Sequence, residues 1–277
     1  MIKAAVAGLG TIGSSLVSLL PSLGFGSVVL IDRDVYEYKN LMGQSIAESF
    51  IGYPKADMQA KRLSSINSKI NVTSCVDDIQ NVPWRHLHCD VILGCFDNNL
   101  ARQITAEFAW RMGLPYIDCG VKGDGMFARV DVYIPDGTDA PCIECSWKDS
   151  DYERLEVAYP CSKGQIQSGT NSPIYLGSLA ASIQAAECAR IIEGDFRHAG
   201  ARIVLSAHSY ASYVSRLPRN GACRFDHGTF PAEHLDSIPR ELSLKQVLDT
   251  EAVNITRTEP SLFVSHTGQG HAREEQE

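Results

Sequence analysis

No run of eighteen apolar residues occurs anywhere in the 277-residue chain. A membrane-spanning helix needs about twenty, so no membrane is expected as a partner. Nor does a charged and then apolar leader precede the first strand-like segment at Ile2, and the expectation is a cytoplasmic protein. Positive charge is scarce as well. Lys and Arg number 25 against 33 Asp and Glu, a formal net charge of -8. No basic stripe gathers the residues that neutralise a phosphate backbone, so nucleic acid is not an expected partner and a protein or a small molecule is. No internal repeat is found.

What is present begins with cysteine: nine residues, an odd number. Cys75, Cys89, Cys95 and Cys119 fall in apolar strand-like runs and Cys188 in a helix-like one, where a reduced thiol is a small apolar filler. Cys142, Cys145, Cys161 and Cys223 stand instead in polar, loop-like settings. The length suits one large α/β domain or one domain with appendages.

Short apolar runs alternate with helix-length segments: "IKAAVA", a helix from about Thr11, "SVVLID", a helix "PKADMQAKRLSSIN", "NVTSCV", "CDVILGCF", a helix "NLARQITAEFAWRMG", then "PYIDCG". Strands separated by helices imply parallel pairing with right-handed crossovers, a Rossmann-like doubly wound sheet. After Gly123 the texture changes. "GMFARVDVYIP" alternates like a strand exposed on one face, and no helix precedes it. Residues 136–172 read as a long loop carrying cysteines. "SPIYLGSLAASIQAAECARIIEG" reads as a helix whose small residues allow close packing, with Gln184, Glu187 and Arg190 against a membrane span. "ARIVLSAH" and "YASYVSRL" complete the sheet, so antiparallel strands extend it. The last dozen residues read as a disordered tail.

Gly8, Gly10 and Gly13 form a G-x-G-x-x-G turn between the first strand and the first helix. Such a turn lets backbone approach phosphate oxygens, and it suits NAD, FAD and ATP alike. Asp32 or Asp34, about twenty positions on, would hold ribose hydroxyls in any of these. Lys55, opening the next long helix, places an amine near the phosphate end of the site. Asp97 follows the fourth strand at the carboxyl edge of the sheet, where open α/β folds bind ligands. A carboxylate beside phosphate repels it unless a divalent cation intervenes, so Lys55 and Asp97 together point to a triphosphate with Mg²⁺ rather than to NAD. The plainer alternatives are turn or helix caps for the aspartates and a solvated helix lysine. Cys142 and Cys145 form a C-x-x-C knuckle whose spacing lets two thiolates share a tetrahedral metal.

Taken in order, G-L-G-T-I-G, I-D-R-D followed by Asn40-Leu41, G-Y-P-K-A, R-L-x-x-I-N (Arg62 to Asn67), D-N-x-x-x-R (Asp97 to Arg102) and P-C-I-E-C span roughly residues 4–230. This series resembles the ubiquitin-activating, ThiF/MoeB/HesA-type adenylyltransferase family. The resemblance implies that the C-terminal glycine carboxylate of a ubiquitin-like or sulfur-carrier protein attacks the α-phosphate of ATP, giving an acyl adenylate and pyrophosphate. It implies Asp34 on the ribose, Asn40 and Lys55 on the phosphates and Asp97 on Mg²⁺. It implies an adenylation domain over residues 1–230 with a crossover loop at about 146–172, followed by an extension at 231–277, and assembly as a homodimer or heterodimer.

Two departures from the family pattern concern charge. Where the family has N-L-x-R-Q, the chain has Asn40-Leu41-Met42-Gly43-Gln44, so glycine replaces the phosphate-contacting arginine. As the sequence stands it also starts at the first strand, without the helix from which many members lend an arginine to a neighbouring subunit. Lys39, Arg33, Arg102 or a partner is then expected to supply the charge, or adenylation is weak or lost. In the family a second C-x-x-C completes a zinc site; here Cys223 and His227, a C-x-x-x-H pair, take that place and imply Zn²⁺ on Cys142, Cys145, Cys223 and His227. Cys161 stands where several members carry a thioester or persulfide, with Lys163 beside it to favour a thiolate; a thioester would pass to a downstream conjugating enzyme. Three other functions stay open: an adenylation-deficient partner that binds a modifier or an active subunit, an NAD-dependent oxidoreductase, and activation of a carboxylate on a modified tRNA.

Overall fold

A computed structural model describes residues 1–122, 124, 126–137, 139–157, 172–229, 253–258 and 261–266. Apolar runs form five parallel strands, β1 (Lys3–Ala7), β2 (Ser27–Ile31), β3 (Asn71–Cys75), β4 (Val91–Gly94) and β5 (Tyr116–Lys122). Between them run α1 (Thr11–Leu16), α2 (Lys55–Ile66), α3 (Trp84–Leu87) and α4 (Asn99–Arg111). Three antiparallel strands, β6 (Phe127–Tyr133), β7 (Ala201–Ser206) and β8 (Ser212–Arg216), extend the sheet in the order β3-β2-β1-β4-β5-β6-β7-β8. Two helices, α5 (Asp149–Val157) and α6 (Ile174–Ile192), lie in sequence between β6 and β7. This is the mostly parallel Rossmann-like sheet with an antiparallel extension that the pattern predicts.

β1 is buried on both faces, which is why it reads as an unbroken apolar run. Ala4 and Val6 join Leu16 of α1, Leu63 of α2 and Leu176 of α6 in one core. Ala5 and Ala7 join Leu87 of α3 and Phe108 of α4 on the other side. The small residues of α6 act as expected. A side chain at Gly177 would come within 2.7 Å of the Thr11 carbonyl oxygen, so α1 and α6 meet backbone to backbone. Gln184 of α6 is fully buried and pinned to the sheet, its amide donating to the Gly94 and Ile117 carbonyls at 3.2 and 2.8 Å while its oxygen accepts from the Cys95 thiol. Among the described residues no helix is long and apolar enough to cross a membrane.

Three readings need correction. The stretch read as a loop over 136–172 contains a 3-10 turn, Ile143–Ser146, and α5. α5 opens on Asp149 and Asp151, acids that suit a helix N-terminus, and Asp151 accepts a hydrogen bond from the Lys148 amide at 2.9 Å. The extension holds an antiparallel strand pair, β9 (Val253–Thr258) and β10 (Ser261–His266), and His266 of the supposed tail belongs to β10; residues 267–277 lie outside the described residues. Finally, β6 does not simply show one face to solvent, because Asp131 and Tyr133 on its polar side are buried beneath an ion cluster.

Candidate nucleotide site and metal centre

The strand order reverses between β1 and β4, which is where an open α/β sheet leaves a crevice at its carboxyl edge. The glycine turn follows β1 and Asp97 follows β4, so the two flank that crevice. Gly8 has φ 89°, and a Cβ there would lie 2.7 Å from the Cys95 carbonyl oxygen. A Cβ on Gly13 would lie 2.0 Å from the Gly8 oxygen. Backbone geometry thus imposes both glycines. Gly10 is different: its nearest neighbour would be the Gln44 side-chain nitrogen at 3.9 Å. Nothing in the fold demands glycine there, and the open space fits the close approach of a ligand. Two buried polar atoms without partners lie on residues of this region, the side-chain oxygen of Gln44, whose amide nitrogen faces Gly10, and the hydroxyl of Ser172, whose carbonyl oxygen faces Gly43, which fits a site completed by a polar group. α1 has only six residues, and its first bond runs from the Ser14 amide to the Gly10 carbonyl at 2.9 Å, leaving the preceding N–H groups without helical acceptors.

Asp32 braces the turn. Its carboxylate accepts from the Leu9 amide at 2.6 Å and the Asp34 amide at 2.8 Å, and burial pushes its pKa up against the pull of Lys55. The plainer reading, a turn cap, describes it. Tyr36 fixes the other backbone group of the same residue, donating to the Leu9 carbonyl at 3.3 Å while accepting from Gln59 at 2.8 Å. Nothing in the sequence pattern marks this strut. Asp34 is exposed and pairs at 2.8 Å with the Lys55 ammonium, whose side chain is only 8% exposed. Lys55 is therefore a held cation at the crevice rather than a solvated one. The Asn40 side chain accepts from the Glu37 amide at 2.8 Å in a capping box around the 3-10 turn Tyr38–Met42. Asp97 is exposed, and Asn98 beside it caps α4 through the Ala101 amide.

The expected substitute cations are differently placed. Arg33 pairs with Asp78 at 2.5 Å and Lys39 with Glu37 at 3.0 Å, both at the surface. Arg102 is withdrawn into a buried cluster, bonded to Asp118 and to the Phe96 carbonyl. Asp118 also receives Arg129 at 2.6 Å and the Tyr116 hydroxyl at 3.0 Å; Asp131 receives Arg129, Tyr133 and both forks of Arg202 at 2.8 Å. Arg102 thus neutralises a buried carboxylate, which corrects the expectation that it is one of the cations able to supply the missing charge. Cys161 and Lys163 lie outside the described residues.

Cys142, Cys145, Cys223 and His227 converge, all their ligand atoms within 4.8 Å of one another. The Cys142 sulfur lies 3.8 Å from that of Cys145 and 3.7 Å from that of Cys223. A zinc ion about 2.3 Å from each sulfur sets tetrahedral edges of about 3.8 Å, so the spacing fits. The Cys145 sulfur lies 3.3 Å from His227 Nε2, and the Phe225 carbonyl 2.7 Å from Nδ1 fixes the ring with Nε2 toward the three sulfurs. Sequence reasoning missed Arg219, whose Nη1 stands 2.6 Å from His227 Nε2 and 3.5 Å from the Cys145 sulfur.

The fold is of the Rossmann-like, doubly wound α/β class, with a Cys₃His cluster beside its sheet. The model of the ThiF family matches residues 1–223, and the chain belongs to that family. It is 30% identical over 148 residues to a sulfur carrier protein ThiS adenylyltransferase of Bacillus subtilis, a match covering 52% of this chain and 43% of the relative. It is 26% identical over 226 residues to the molybdopterin-synthase adenylyltransferase of Escherichia coli, covering 79% and 84%. A crystal structure of E. coli MccB with ATP shares the fold, with a TM-score of 0.63 at 22% identity over 80% of this chain and 66% of that one. The chain thus spans well under half of the first relative and most of the second.

Proposed function

We propose that the chain uses ATP to adenylate the C-terminal glycine carboxylate of a ubiquitin-like or sulfur-carrier protein. The observation that carries the reading is Gly10, left open by the fold at the switch point, with the buried Lys55 held by Asp34 after the neighbouring strand. The carboxylate attacks the α-phosphorus, the bond to the bridging oxygen breaks, and pyrophosphate leaves with that electron pair. Asp34 takes the ribose, Asn40 and Lys55 take the phosphates, and Gly8, Gly10 and Gly13 supply the backbone cradle. Mg²⁺ on Asp97 supplies neutralising charge for the triphosphate. This chemistry asks for positioning and charge more than for a proton-transfer residue. Asp32, committed to the turn, shapes the cradle rather than touching the nucleotide. Zn²⁺ on Cys142, Cys145, Cys223 and His227 clamps the segment after β6 to the segment after β8. The Cys161 thiolate then attacks the acyl carbon of the adenylate, the bond from that carbon to the phosphate oxygen breaks and AMP leaves, and the resulting thioester passes to a downstream conjugating enzyme; the chain works as a homodimer or heterodimer.

ATP–pyrophosphate exchange with candidate small β-grasp proteins encoded beside the gene tests the reading. Exchange that depends on the carrier's terminal glycine supports it. Stable binding of a carrier or of a second activating subunit, with no exchange at saturating ATP·Mg²⁺, supports the other reading, an adenylation-deficient partner. Gly43, in place of a phosphate-contacting arginine, favours that alternative.

A further inference from the structure

We propose that Cys223 is an oxidation site, the sulfur through which a peroxide opens the Cys₃His centre and releases its metal. The proposal rests on the zinc reading above, and it follows from the inequality of the three cysteines. Cys142 and Cys145 are 5% and 6% exposed, packed against Trp110 and Phe225. Cys223 is half-buried and lines a cavity of about 320 Å³, together with Glu144, Trp147, Tyr152 and Arg224. Of the three cysteines of the cluster, only Cys223 is among the residues that line this cavity, so a small oxidant entering it reaches Cys223 before the other two. The cavity wall is built rather than incidental. Arg224 lies over the Tyr152 ring at 3.9 Å and pairs with Asp149 at 2.8 Å, while the buried Glu144 accepts from Tyr152 at 2.8 Å and from Gln103 at 3.0 Å.

The second participant is equally defined. The Cys142 sulfur lies 3.7 Å from that of Cys223, within reach of a disulfide after a small rotation. Cys145 is engaged elsewhere, because Arg219 draws on its sulfur at 3.5 Å, and a thiolate that donates its charge to a guanidinium is the poorer nucleophile. Hydrogen peroxide transfers one oxygen to the Cys223 thiolate as its O–O bond breaks and hydroxide leaves. The Cys142 thiolate then attacks that sulfur, the S–S bond forms, the S–O bond breaks, and a second hydroxide leaves. Two thiolates have lost two electrons and the peroxide has gained them. The metal, reduced to Cys145 and His227, departs.

The test uses the full zinc-loaded chain, hydrogen peroxide, a chromogenic zinc indicator, and peptide mapping of every cysteine after alkylation. One zinc released per peroxide consumed, a Cys142–Cys223 disulfide, and recovery of binding after thiol treatment are expected. Cys223→His keeps four ligands and is expected to release zinc about tenfold more slowly. Equal release from Cys223→His, or a Cys142–Cys145 disulfide, would overturn the proposal. Should that variant fold poorly, iodoacetamide labelling of the unmodified protein decides: Cys223 must react before Cys142 and Cys145, and the reverse order rejects the inference. Metal analysis of untreated protein separates the two readings, since an absence of bound zinc would sink the zinc assignment while the labelling order still tests the access of Cys223.

Discussion

Trp110 donates its indole N–H to the His227 carbonyl at 3.0 Å, and its ring meets the His227 imidazole edge-on at 5.0 Å. Arg111, the next residue, reaches Asp226 at 2.5 Å and the Gly228 carbonyl at 2.9 Å. The C-terminal turn of α4 is thereby fastened to one half of the metal cluster, while its N-terminus adjoins Asp97. Removing the metal should therefore be seen from α4. Cys142→Ser is expected to lose zinc and stability together, by on the order of 3 kcal/mol, and chelation of the unaltered chain should change the Trp110 fluorescence. Bound zinc can be read by elemental analysis and stability by denaturant unfolding. A metal-free chain as stable as the loaded one would refute the clamp.

The three glycines of the turn should separate by what they are for. Gly8→Ala forces a side chain to φ 89° and against the Cys95 carbonyl, and is expected to cost about 1–3 kcal/mol of stability. Gly10→Ala meets nothing closer than 3.9 Å, so its stability should stay within about 0.5 kcal/mol. ATP affinity should nevertheless fall, by about tenfold or more, because the methyl occupies the phosphate approach. Calorimetric titration beside thermal unfolding reads both quantities. An alanine at position 10 that binds ATP normally would remove the phosphate from this turn.

Lys55 is buried and its partner Asp34 is exposed. Lys55→Met should thus cost little stability, under about 1 kcal/mol, yet lower ATP affinity by about 10- to 100-fold through loss of a charge-assisted contact. NAD binding, measured in parallel by fluorescence, should be absent in both forms. Clear NAD binding without ATP binding would move the protein to hydride chemistry.

Much of this was legible in the sequence, and the reason is periodicity. Doubly buried strands such as β1 show as unbroken apolar runs, and the glycine turn, Lys55 and Asp97 sit at fixed offsets from strand ends. The Cys142–Cys145 spacing and the Cys223–His227 pair likewise show as local patterns. Contacts between distant segments leave no such trace. The Tyr36–Gln59 strut, the burial of Arg102 against Asp118, and Arg219 at the metal cluster each join residues whose own surroundings in the sequence look ordinary. α5 was hidden for a related reason. It is short and strongly polar, so propensity and capping carry it rather than an apolar stripe.

Gly43 and Cys161 carry the last expectation. Gly43 adopts φ -127° and ψ -1°, a backbone open to other residues, and a Cβ there would stand 3.4 Å from the Ser172 carbonyl oxygen and 3.9 Å from the Thr11 hydroxyl. Both are ordinary contacts, so Gly43→Arg should fold normally and place a guanidinium beside the glycine turn. If adenylation is limited by missing positive charge, the ATP–pyrophosphate exchange rate should rise about tenfold or more, and an arginine from a partner subunit or carrier should do the same for the unaltered chain. An unchanged rate in a well-folded Gly43→Arg protein would show that charge at this position does not limit the reaction. Mixing the chain, a carrier and ATP should then give an adduct on a non-reducing gel that survives denaturation and is released by excess thiol. Cys161→Ala should abolish that adduct while leaving pyrophosphate exchange in place. An adduct that persists in Cys161→Ala would assign the thioester to another residue and leave Cys161 without a part in the chemistry.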